Sequence, residues 1–133
     1  MQRRQAREFV LSALYQREFA PIELETLLED AKPGDQAGYI AATYDGILHR
    51  QPEIDAMIGE RTVGWRFERL ALIDRNILRL GVYELLFNDE IPPEVAIDEA
   101  VELAKKFGTE QARGFVNGIL DSLWETIRNG GNE

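Results

Sequence analysis

The chain has no cysteine and a single histidine among its 133 residues. Without thiols there is no disulfide framework, zinc ribbon or thiol nucleophile. Without a histidine pair as well, a nitrogen- or sulfur-ligated metal site cannot be built. Apolar runs stop after a handful of residues, far short of the ~20 needed to cross a membrane. Met1 to Glu8 lacks the apolar stretch of a secretory signal. A soluble cytoplasmic domain is the expectation. Val (6) and Thr (5) are scarce beside Leu (15) and Ala (13), a balance that favours helix over sheet. No segment alternates apolar and polar residues over a strand's length, so no glycine-rich phosphate loop follows a strand. An all-α domain follows.

With 44% hydrophobic residues, the chain can bury a core as one domain. Its formal charge is −9, unevenly spread. Residues 1–17 hold Arg3, Arg4, Arg7 and Arg17 against Glu8 alone, a balance of +3, so the other 116 residues carry −12. An acidic body disfavours broad, sequence-blind nucleic-acid binding. A short basic end still permits a local phosphate site. Twelve of the 15 basic residues are arginine, the side chain suited to bidentate contact with phosphate or carboxylate.

The first predicted helix runs from about Arg3 to Phe19, with Ala6, Phe9, Val10 and Ala13 on one face and Arg3, Arg4, Arg7, Leu11 and Tyr15 on an adjoining stripe. Pro21 ends it. A short acidic helix, about Ile22 to Asp30, presents Glu23, Glu25, Glu29 and Asp30 to solvent. After the loop Lys32 to Asp35, a helix over about Gln36 to Arg50 buries Ile40, Tyr44, Ile47 and Leu48. A separate one starts at Pro52 and ends near Ile58, capped by Gly59. Trp65, Phe67, Leu70 and Leu72 add apolar mass to a stretch without clear boundaries. Asp74 to Phe87 carries apolar residues all round and should be the most buried helix. Pro93 starts the next helix, with Ile97, Val101 and Ala104 beside Ala100, Leu103 and Phe107. Its Glu94, Asp98, Glu99 and Glu102 face away, Glu102 pairing with Lys106. Gly108 ends it. Thr109 then caps a helix over about Glu110 to Arg128, which buries Val116, Ile119, Leu120, Leu123 and Ile127. Residues 129–133 should fray.

Enzyme constellations are sparse. His49 reads as a capping or surface residue at a helix end. Glu25/Glu29 and Asp98/Glu102 are exposed i,i+4 pairs that read as solvated surface rather than a cation site. Glu84 stands out as a carboxylate in an apolar helix, and an ion pair with Arg75 or Arg79 would compensate it. General acid–base work by Glu84 would need a partner that the sequence does not offer. The stripe of Arg3, Arg4 and Arg7 with Tyr15 admits two readings: phosphate contacts with a base-stacking ring, or a solvated terminus whose tyrosine packs inward. Three arginines oppose the helix dipole there. In the last helix Phe115 either completes the core or presents its ring. Gly114 and Gly118 clear one face for close approach.

Taken together these segments resemble the NusB transcription antitermination factors. Ile73 to Leu86 is similar to that family's central helix, and Pro92 to Gly108 to the helix that follows. Phe115-Val116-Asn117-Gly118-Ile119-Leu120-Asp121 matches the start of its last helix. Arg3 to Glu8 with Ala13-Leu14-Tyr15 is similar to its arginine-rich first helix. The resemblance implies about seven helices in two small sub-bundles, about residues 1–60 and 61–129. It implies a non-enzymatic factor without a cofactor or metal. That factor binds boxA-type single-stranded RNA of ribosomal RNA leaders, together with the small-subunit ribosomal protein NusE, to promote read-through by RNA polymerase. Carried over by position, Arg3, Arg4, Arg7, Tyr15, Glu110, Gln111 and Phe115 would meet RNA, and Asp74, Arg79 and Glu84 the partner. Some family members have an acidic residue at the position of Gln111 and a lysine at that of Gly114. The missing lysine at Gly114 should therefore weaken a phosphate contact here. The alternative is a protein-only helical module, with homodimers as in some relatives.

Overall fold

The most apolar segment of the chain becomes its centre. In the computed structural model, which describes residues 1–62 and 67–130, the segment Leu72–Phe87 forms helix α4, with ten buried residues distributed around its circumference. Around it stand α1 (Arg3–Arg17), α3 (Ala37–Gly59), α5 (Pro93–Phe107) and α6 (Ala112–Arg128), all four packed on α4. A short α2 (Leu24–Ala31) lies outside this arrangement, with Leu24, Leu27 and Leu28 against the core and its acidic residues in solvent. Single 3-10 turns at Gly34–Gln36 and Phe67–Arg69 complete the described elements, which include no strand. Trp65, part of the ambiguous apolar stretch, and residues 131–133 of the expected frayed end lie outside the described residues.

Two glycines allow the close approach of these helices. A Cβ on Gly81 would lie 2.8 Å from Leu120 Cδ1 and 3.1 Å from the Ala100 Cβ, so α5 and α6 both close on α4 at this point. A Cβ on Gly46 would collide with the hydroxyl edge of the Tyr83 ring, 2.5 Å from its Cζ. The α3–α4 contact thus uses the space that a side chain would fill.

Several local expectations are corrected. The two helices expected on either side of Pro52 are one continuous α3, which reduces the expected count of about seven to six α-helices among the described residues. Proline at position 52 lacks the N–H that would bond the Leu48 carbonyl. Its ring lies on the exposed side, while Ile47 and Ile54, both fully buried, anchor the helix before and after it. His49 is accordingly exposed within a helix, not at its end, and Gly59 is the last helical residue rather than the cap beyond it. Thr109 does not cap α6; Gln111 stands at that position, and the Thr109 hydroxyl is used elsewhere. Phe107 and Ile127, assigned to apolar strips, are exposed near helix ends.

The buried charges do more than fill gaps. Glu84, 1% exposed, accepts a hydrogen bond at 2.8 Å from Nε of Arg7, itself only 5% exposed, and another from the Tyr39 hydroxyl. This corrects the expected pairing with Arg75 or Arg79. Those residues precede Glu84 by nine and five positions, which at about 100° per residue places them on other sides of the helix. Arg75 instead donates to the Glu68 and Leu70 carbonyls at 2.8 and 2.9 Å. Arg79 holds Asp55 of α3 through Nε and Nη2 (2.8 and 2.9 Å) and Glu18, just after α1, through Nη1 (2.7 Å). Burial and the adjoining Glu84 charge push the Tyr39 phenol well above its usual range, so it stays a donor.

Arg7→Ala should leave the Glu84 carboxylate buried without its cation and cost roughly 3–5 kcal/mol. The triple change Arg7→Met, Tyr39→Phe, Glu84→Leu should recover most of that loss. Urea unfolding of both variants measures this directly, and equal midpoints would contradict it.

Candidate nucleic-acid interface

The first turn of α1 runs against the middle of α5, and the contact is electrostatic. Arg4 reaches Glu99 with both arms of its guanidinium, Nε at 3.1 Å and Nη2 at 2.8 Å, while 60% of its side chain stays exposed. One turn on, Lys106 meets Glu8 at 2.9 Å, and Lys105 meets Glu102 at 3.1 Å. The expected Glu102–Lys106 pair is thus exchanged for an i,i+3 pair and a bridge between helices. A hollow of about 240 Å³ lies among Arg4, Glu8, Glu99 and Lys106. Lys105 borders both this hollow and a second cleft of about 400 Å³ lined by Gly108, Thr109, Glu110 and Arg113. Four cations therefore follow one edge of an acidic protein. Phe107 adds an aromatic ring there, 40% exposed, its centroid 5.3 Å from Lys106 Nζ.

The turn that presents the start of α6 is held from beneath. Asp74 of α4, 2% exposed, accepts the Thr109 N–H at 3.0 Å and the Thr109 hydroxyl at 2.6 Å. Gly108 passes so close that a Cβ there would lie 2.7 Å from the Ala112 Cβ and 3.0 Å from Asp74 Oδ1. The exposed positions of Glu110, Gln111 and Arg113 follow from that anchor.

The residues singled out in the sequence separate into three groups. Arg3 and Arg4 are exposed, but Arg3 turns away from Arg4's partner. It donates to Gln36 Oε1 at 2.6 Å and stacks over Tyr39, 4.0 Å from the ring centroid. Tyr15 is exposed at the far end of α1, edge-on to the exposed Phe19 with 5.1 Å between centroids. Eleven residues separate it from Arg4, about 16 Å of helix. Glu110 and Gln111 are exposed, and Phe115 is half-buried in a different hollow of about 240 Å³ with Arg61, Leu70 and Ile119. Arg7, Asp74, Arg79 and Glu84 form the third group. All are 5% exposed or less and bonded to other helices or turns, so direct contact with RNA or a partner is not what their side chains provide here. A helical wheel places Arg7 beside Arg3 and Arg4 but does not show that α3 and α4 cover it. Lys105, Lys106 and Phe107 escaped the site prediction. Two cations followed by an aromatic in a last helical turn were the available signal, masked by Phe107's fit to the apolar period.

The sequence matches the NusB family over residues 4–125. The chain belongs to the NusB family. Transcription antitermination protein NusB of Geobacter sulfurreducens is 44% identical over 131 residues, spanning 94% of this chain and 95% of the relative. The solved structure of T. maritima NusB is 42% identical and superposes with a TM-score of 0.84, covering 94% of this chain and 92% of that one. A crystal structure of the antitermination factors NusB and NusE in complex with dsRNA superposes with a TM-score of 0.81 at 28% identity, covering 93% of this chain and 96% of that one. Among the described residues of this family member, no helix is long and apolar enough to cross a membrane.

Two carboxylates, Glu99 at this edge and Glu18 beyond the far end of α1, have a signature in acid. The Arg4 hydrogen bond, opposed by partial burial and aided by the charges of Arg4 and Arg7, holds the Glu99 carboxyl below its usual range. At Glu18 burial acts upward, but hydrogen bonds from Asn76 and Arg79 prevail and lower it as well. Both groups bind protons more weakly folded than unfolded, so their stabilisation is complete above the unfolded carboxylate pKa and is lost as the pH falls through the folded one. Chemical unfolding should therefore show stability dropping as the pH falls below about 5. Glu99→Gln should make that drop shallower; an unchanged slope would show that Glu99 titrates normally.

Proposed function

We propose that this chain is a non-enzymatic, cytoplasmic transcription antitermination factor. It binds boxA-type single-stranded RNA of ribosomal RNA leaders together with a NusE-type protein and so promotes read-through by RNA polymerase. The observation that carries the reading is the edge formed by Arg4, Lys105, Lys106 and Arg113 with the exposed Phe107 ring on an otherwise acidic protein. Names of the relatives and the NusB–NusE–dsRNA complex of a structural neighbour support it. The mechanism is positional. Cations hold phosphates, which supplies affinity without sequence information, and Phe107, with Tyr15 further along α1, supplies faces on which unpaired bases stack. Among the described residues every cation at this edge except Arg113 has a carboxylate partner, so intrinsic affinity is modest and a basic partner that extends the surface strengthens it. The partner-binding role expected of Asp74, Arg79 and Glu84 becomes indirect: they fix the helices that the partner meets.

A second reading, a protein-only module that pairs with its own copy, is favoured by the exposed Tyr15–Phe19 pair. Sedimentation with and without RNA separates the two, because a stable dimer indifferent to RNA and to a NusE-type partner fits only this one.

Fluorescence anisotropy of labelled boxA-type RNA, at several salt concentrations with and without the partner, tests the first. Lys106→Gln should reduce the slope of log K against log salt by about 0.7, the single-strand value per phosphate contact. Phe107→Ala should cost about 1–3 kcal/mol on single-stranded RNA and little on a duplex, whose bases already stack on each other. Equal losses on both would remove Phe107 as a stacking platform. Gly114 can be tested by gain: a Cβ there meets nothing within 4 Å, so Gly114→Lys should fold with little change in stability, the helix-propensity gain being offset by a cation in the first turn, and should steepen the salt slope.

A further inference from the structure

The geometry points to Glu99 as an intramolecular competitor for RNA: we propose that it occupies the phosphate-binding fork of Arg4 in the free protein and sets the affinity of the site by having to be displaced. The inference rests on the RNA-binding reading above. A guanidinium presents two parallel N–H donors to either a carboxylate or a phosphate. The side-on pair of Arg4, Nε and Nη2, is already on the two Glu99 oxygens, at 3.1 and 2.8 Å, and the Glu99 charge stands beside whatever else the guanidinium would bind. The pair lies at the rim, Arg4 mostly exposed and Glu99 16% exposed, so an incoming phosphate can reach Arg4 but meets it already engaged.

Displacement leaves Glu99 a second partner. Arg7 Nη1 stands 3.6 Å from Glu99 Oε1, while Arg7 Nε remains on Glu84 at 2.8 Å. Once Arg4 moves to a phosphate, the charge of Glu99 is still compensated from the protein side. The arrangement is a carboxylate with an outer cation that RNA can take and an inner cation that RNA cannot reach. Asp98, the neighbouring exposed residue on α5, holds no cation at salt-bridge distance among the described residues and provides a control of equal charge.

Glu99→Gln, Asp98→Asn, Arg4→Gln and the double variant Arg4→Gln/Glu99→Gln are to be titrated with boxA-type and scrambled single-stranded RNA by anisotropy, with melting curves as a check on folding. An exposed rim pair is a weak competitor, so Glu99→Gln should tighten binding only modestly, about fivefold. The gain should be equal for both RNAs, because phosphate contacts carry no sequence information. Asp98→Asn should gain less than about twofold, and in the Arg4→Gln background the gain from Glu99→Gln should shrink to that level. Wild-type affinity in a folded Glu99→Gln, or an equal gain from Asp98→Asn, would overturn the proposal. Should Glu99→Gln not fold, the wild-type protein answers by NMR: the Arg4 Nε–H resonance must shift when RNA is added, and a stationary resonance beside shifting Lys105 and Lys106 signals overturns it. Absence of RNA binding by every protein, wild type included, overturns the RNA reading itself.

Discussion

A carboxylate inside an apolar helix must be compensated before that helix can pack, and here the compensation comes from two other helices. Glu84 of α4 takes its hydrogen bonds from Arg7 of α1 and Tyr39 of α3. None of the three is close to another in sequence, so the arrangement forms only when α1, α3 and α4 are together. A buried pair of this sort adds little net stability over an apolar replacement. Its effect is on which packing is allowed: a misplaced α1 leaves a charge buried alone. In this fold we regard it as the device that sets the position of α1, and hence of the arginines at its start.

The same logic recurs along α4. Arg79 ties together α3 through Asp55 and the end of α1 through Glu18, with Asn76 bridging to the same Glu18 carboxylate at 2.9 Å. Asp74 holds the α5–α6 turn through Thr109. Three polar residues of one apolar helix thus reach three different parts of the chain. The hydrophobic faces bring the helices together, and these bonds choose their register. Gly81 and Gly46 remove the steric obstacles to that choice.

The proposed function rests on cations gathered in a restricted place rather than on net charge, because carboxylates line the same edge. The protein is strongly acidic, yet Arg4, Lys105, Lys106 and Arg113 are assembled along one edge from α1, α5 and α6. Long-range attraction for RNA is weak in such a molecule, and local contacts decide binding. Local ion pairs with Glu99, Glu102 and Glu8 hold Arg4, Lys105 and Lys106 in place. In the proposed RNA-binding reading these carboxylates compete with phosphates for the same cations.

Periodicity was sufficient to read α1, α4 and α5 within about two residues, because their apolar spacing and terminal Pro or Gly signals agree. It divided α3 at Pro52, because a proline's local effect is visible in sequence while the anchoring of Ile47 and Ile54 is not. Composition and residue spacing determined an all-helical chain with α4 at its centre, an unusual carboxylate at Glu84 and a basic first turn. Only the tertiary structure decided which arginine neutralises Glu84, that Arg7 is buried while Arg4 is exposed, and that Lys105, Lys106 and Phe107 join Arg4 at one edge. The reason is geometric: a helix repeat shows which residues share a face, but the partner opposite that face comes from distant sequence and is selected by packing.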